Sequence, residues 1–141
     1  RAVKFAEHLQ EAVLEDVPHR HVVFTLPKRL RIFLRYDRSL NNLLFHAAWG
    51  SIEECLGTGQ GSPGAVLTVQ TAGEALNFNP HLHGLLADGL FGADGSFVPF
   101  GEVDREKISG VFAKHVLAAL HAKELISDEV VTQILSQAHW L

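Results

Sequence analysis

The chain has no methionine, one cysteine, one tyrosine and no apolar run of membrane-spanning length. The single thiol, Cys55, excludes an intramolecular disulfide and fits a reducing compartment. It falls on an apolar stripe at helical spacing, which favours packing over nucleophilic chemistry. Without a run of about 20 apolar residues, no transmembrane helix is expected. The opening RAVKFAEHLQEAVLED is amphipathic, unlike a secretory leader. These absences predict a soluble, cytoplasmic protein with no membrane partner. Residue 1 is Arg, and the missing initiator suggests a piece of a longer chain.

A strong positive charge is also lacking. The net charge of −4 does not mark a nucleic-acid binder. Its distribution is uneven, however. Residues 1–38 hold eight Lys/Arg against five Asp/Glu, whereas residues 39–141 hold four against eleven. The densest basic stretch, KRLRIFLRYDR, contains Lys28, Arg29, Arg31, Arg35 and Arg38, interleaved with Phe33 and Tyr36. Such a patch can hold phosphates and stack bases, or it can be a solvated loop and helix start.

What is present is enough for a core. A length of 141 residues and a hydrophobic content of 47% fit one domain, residues 1–141. Apolar residues at helical spacing predict a helix over 2–15, stopped by Val17-Pro18. HVVFTL, residues 21–26, reads as a strand. A helix follows with Leu40, Leu43, Leu44, Ala47, Ile52, Cys55 and Leu56 on its buried stripe. GTGQGSPG, residues 57–64, is a loop. Strands are predicted over 65–71 and 80–87. Asp88-Gly89 and Asp94-Gly95 are turn signals, with a short strand over 96–100. Two helices close the chain, one capped by Asp104 and one opened by Ser127-Asp128-Glu129. The heart of this order is β-α-β-β-α. It predicts an α+β, ferredoxin-like antiparallel sheet with helices packed on one face. A complete unit of that kind needs a further strand after its second helix, and the sequence offers none.

The third strand begins FNPHLHGLL, residues 78–86. Alternate side chains of a strand share a face, so His81 and His83 point one way and Leu82 the other. Two imidazoles with Cα atoms about 7 Å apart can converge on one metal ion. Pro80 stands at the strand's first position, where no ladder bond is lost, and Gly84 leaves room near the pair. A second H-x-H, His19-Arg20-His21, opens the first strand. A third ligand is needed, either Glu74 across the hairpin turn or Gln70 on the preceding strand. Two nitrogens and one oxygen suit Mg²⁺ or Mn²⁺, with Zn²⁺ also open.

HVVFTLPKRLR, FLRYDRSLNNLLFHAAW and GAVLTVQTAGEALNFNPHLHGLLADG occur in that order. Together they resemble the central region of the two-tyrosine, rolling-circle transposases of bacterial insertion sequences. These form the insertion-sequence-ninety-one group of the HUH endonuclease superfamily. The resemblance runs over roughly residues 1–139. It implies a ferredoxin-like catalytic domain for DNA transposition and recombination, acting on single-stranded DNA with a divalent metal. His81 and His83 match the family's metal ligands, and Glu74 is the candidate third. The resemblance implies that the ion polarises the scissile phosphate while a tyrosine attacks phosphorus. That tyrosine lies downstream of the histidine strand in the family. Here the only tyrosine is Tyr36, upstream of it, so no catalytic nucleophile is assigned. The family's cysteine-rich zinc segment has no counterpart. The expectation is a transposase fragment that binds metal and DNA but is inactive alone. The alternative is a non-catalytic DNA-binding or interaction module of transposase descent, using the basic stretch without His81. A cupin-like metalloenzyme would also use H-x-H on a strand, but the helical periodicity argues against an all-β fold.

Overall fold

Period-two alternation in three segments builds one sheet, and it sorts their side chains into two unlike faces. The computed structural model describes residues 2–73 and 77–137. Its strands β1 (His19–Thr25), β2 (Ala65–Ala72) and β3 (Phe78–Ala87) pair in the order β1-β3-β2, with β3 antiparallel to both neighbours. Val22 and Phe24 of β1, Leu82 and Leu86 of β3, and Leu67 and Val69 of β2 belong to or pack against the core. The intervening residues stay partly or fully exposed, among them His21, Val23, Thr68, Gln70, His81 and His83.

Helices cover the apolar face. Helix α1 (Ala2–His8) runs into a π-helical turn, Leu9–Val13. The predicted stripe at 2–15 is therefore helical over most of its length, but none of its residues is buried. Val3 is 70% exposed and Phe5 55%. Helix α2 (Lys28–Tyr36) follows β1 and was not expected from the sequence. It buries Leu30 and Leu34, one turn apart. A short 3₁₀ turn, Arg38–Leu40, leads into α3 (Asn41–Leu56), with Asp37 accepting from Ser39 N at its start. The buried stripe of α3 is Leu43, Leu44, Ala47, Ala48 and Ile52. Cys55 is half-buried at its end, and loss of water raises its thiol pKa, which fits a packing role.

After β3 a two-stranded hairpin, β4 (Gly89–Phe91) and β5 (Phe97–Pro99), turns through Asp94-Gly95, with Gly95 at φ +82°. Asp88, by contrast, is a bend between the two sheets, not a hairpin turn. Helix α4 (Arg105–Ala122) is capped by the Asp104 carboxylate accepting from Lys107 N, and α5 (Asp128–Ser136) by Ser127 accepting from Val130 N. Phe112 of α4 meets Phe24 of β1 with ring centroids 4.9 Å apart, which joins the helical layer to the sheet. Among the described residues no strand follows α4.

Gly84 does not open space beside the histidines. It lies on the opposite, core side, and a Cβ there would stand 2.8 Å from both Val22 Cγ2 and Leu67 Cδ2. Its role is to let the flanking strands' side chains close over β3. Gly84→Ala is expected to lower stability by about 1–3 kcal/mol through overpacking. The check is a reduced urea midpoint with an unchanged slope.

Candidate metal centre and nucleic-acid interface

The central strand carries the two histidines where both neighbours flank them. His81 is opposite Thr25 on β1 and Gln70 on β2, and His83 is opposite Val23 and Thr68. Both rings are half-exposed on the open face, while Leu82 between them is fully buried. The ring centroids are 4.7 Å apart with the planes at 68°. His81 Nδ1 lies 2.6 Å from the carbonyl oxygen of Asn79. A carbonyl only accepts, so this Nδ1 carries the proton and Nε2 carries the lone pair. That is the tautomer a metal-binding imidazole with a backbone partner adopts.

His83 has a different partner. Its Nδ1 is 2.9 Å from Nε2 of His21, and the two rings are almost parallel, 5° apart in plane, with centroids separated by 5.1 Å. Loss of water around the ring lowers the His83 pKa below the ordinary imidazole value, and repulsion from His81 and then His21 lowers it further. His83 thus stays neutral further into acid than a solvated histidine. In the unfolded chain the same ring takes up a proton more readily. Its contribution to stability is therefore present above the unfolded pKa and is lost as pH falls through the window below it.

Gln70 is the oxygen donor that the register puts directly across from His81, and it is exposed. Glu74, the other candidate, lies outside the described residues. Among the described residues no three His, Cys, Asp or Glu side chains form a metal-holding group. Two imidazoles and a facing amide could hold a divalent ion that accepts nitrogen as well as oxygen donors, Mn²⁺ or Zn²⁺, with positions left for water.

The basic residues divide on α2. At 100° per residue, Lys28, Ile32, Arg35 and Tyr36 share the side opposite the buried Leu30 and Leu34, and Arg31 flanks the buried face beside Leu34. Tyr36 is 81% exposed, whereas Phe33 packs against the core. Arg31 donates from Nε to the Leu26 carbonyl at 2.9 Å, and Arg29 turns to Gln133 at 3.4 Å. Arg38 is exposed in the turn beyond the helix. The patch is thus helical, not a loop, and it starts three residues after Thr25, the partner of His81.

No family model, curated protein or solved structure matches the chain. Two further histidines have acidic partners elsewhere. His115 meets Glu54 at 2.9 Å and His121 meets Asp128 at 2.7 Å, both at the surface. His19 sits opposite Ala87, at the far end of β1 from the His81 pairing. Sequence reasoning did not single out the contact between His21 and His83. The second H-x-H was its only signal. No helix among the described residues is long and apolar enough to cross a membrane.

Proposed function

We propose that this chain is part of a divalent-metal-dependent HUH transposase domain that engages single-stranded DNA. The observation that carries the reading is the pair of half-exposed imidazoles on the open face of the central strand, with His81 fixed through Nδ1 so that its Nε2 is free. The sheet order β1-β3-β2, with helices α2 and α3 between β1 and β2 and an antiparallel β2–β3 hairpin, supports a ferredoxin-like core. Further support comes from the outer edge of β1, which pairs with no second strand among the described residues. A cleft of about 500 Å³ runs along that edge, between Thr25, Val23 and Arg20 of β1 and Ile108 and Phe112 of α4, where one more strand would fit.

In this reading His81 and His83 hold the ion, with Gln70 or Glu74 as the oxygen donor. The bound ion would supply electrophilic stabilisation of a scissile phosphate. Lys28, Arg31 and Arg35 neutralise backbone phosphates, and Tyr36 offers a face on which a base can stack. Arg29 and Arg38 extend the charge to either end of the helix. Tyr36 is not assigned as nucleophile, since it sits at the end of a helix upstream of the histidine strand.

The test is an oligonucleotide assay with and without Mn²⁺. Binding of single-stranded DNA is expected to weaken steeply with salt, and no denaturant-stable protein–DNA adduct is expected from this chain alone. An adduct would assign a nucleophile within these residues. DNA binding indifferent to both Mn²⁺ and the histidines would favour a non-catalytic module.

A further inference from the structure

We infer that His21 is the positioning residue for His83: its Nε2 accepts a hydrogen bond from His83 Nδ1–H and so leaves the His83 Nε2 lone pair free beside that of His81. This rests on the metal-centre reading above and adds a residue to it. His21 lies opposite Leu85, one pleat along β1 from the residue facing His83, so both rings stand on the open face. Their planes are within 5° of each other, and the centroid separation of 5.1 Å is what a 2.9 Å contact gives when it lies close to the line of centres. The two facing nitrogens therefore aim at each other. Only a proton fits between them. A chelated ion would need both lone pairs to converge on a third point, so His21 Nε2 is not a metal ligand in this arrangement.

The proton has two possible owners. If His21 donates, His83 carries its own proton on Nε2 and has no lone pair to offer an ion. If His83 donates, both contacts hold at once. His81 already has that form, since its Nδ1 faces the Asn79 carbonyl. With His21 as acceptor, the two neighbouring imidazoles become equivalent: each is tied down through Nδ1 and open at Nε2. One tie comes from the strand's own backbone and the other from the adjacent strand. The first H-x-H of the sequence thereby gains a role for its second histidine only.

The experiment compares the wild-type chain with His21→Ala and His21→Gln. Long-range ¹H–¹⁵N spectra of the metal-free protein are expected to find His83 protonated at Nδ1 in the wild type and mixed in His21→Ala. Mn²⁺ titration is expected to show a loss of affinity of about 10–100-fold in His21→Ala. His21→Gln should recover most of it, because the amide oxygen accepts the same bond. Wild-type His83 protonated at Nε2, or His21→Ala binding Mn²⁺ as tightly as wild type, would overturn the assignment. Equal, unrescued loss in both variants would make His21 a ligand and overturn it as well. Absence of Mn²⁺ binding by the wild type would instead bring down the metal centre itself, and this inference with it.

Discussion

Replacing His81 and His83 together with alanine is expected to abolish Mn²⁺ binding while the domain stays folded. In the proposed centre each ring supplies a directly bonding nitrogen, and losing such a group costs more than losing its hydrogen-bonded support, hence more than about 100-fold per residue. Two losses leave an exposed amide and water, too little to retain a divalent ion at micromolar concentration. The fold tolerates the change because both rings lie on the half-exposed face, away from the packed layer. A stability cost of about 1 kcal/mol or less is expected for substitutions of this kind. Calorimetric titration with Mn²⁺, paired with urea unfolding of the same samples, separates the two effects. Undiminished affinity in the double variant would reduce the pair to strand residues, whatever the chain does with DNA.

The histidine pair was legible because strand alternation is a strictly local rule: one sequence fixes which side chains share a face. The contact between His21 and His83 was not legible, because it depends on the register between β1 and β3, which are separated by two helices and a strand. Helix α2 was hidden for another reason. Its apolar signal is two buried leucines, Leu30 and Leu34, and four basic residues dominate its composition. Such a short amphipathic segment reads equally well as a charged loop. Residues 2–15 show the opposite failure. Periodicity identified a helix correctly, yet Val3 and Phe5 stay exposed, because a pattern defines an apolar face and not its partner. The two Asp-Gly signals divided in the same way. Asp94-Gly95 closes a hairpin, with its glycine at positive φ as such turns require. Asp88-Gly89 instead carries the chain from one sheet to the next, where Gly89 is packed so closely that a Cβ would clash with Val98 O.

Leu82 gives the complementary expected result, a large loss of stability. It sits between the two histidines with 0% of its surface exposed, at the centre of the central strand and within the main core cluster. Leu82→Ala removes buried methyl groups and leaves a cavity that the paired strands cannot readily close, at a cost of about 2–5 kcal/mol. That is a large part of the roughly 5–15 kcal/mol that holds a domain together. Leu82→Asp adds an unpaired charge to the same place and is expected to leave the chain unfolded at 25 °C. Circular dichroism with urea titration reads both. Metal affinity serves as the second axis: whatever fraction of Leu82→Ala is folded should bind Mn²⁺ nearly as wild type does, since the imidazoles belong to the other face. If instead Leu82→Ala proved mild and the histidine substitutions unfolded the protein, the strand would have its faces exchanged. A one-residue slip does this to every side chain of a strand at once, and the open imidazole pair from which the DNA-processing function is argued would then be core.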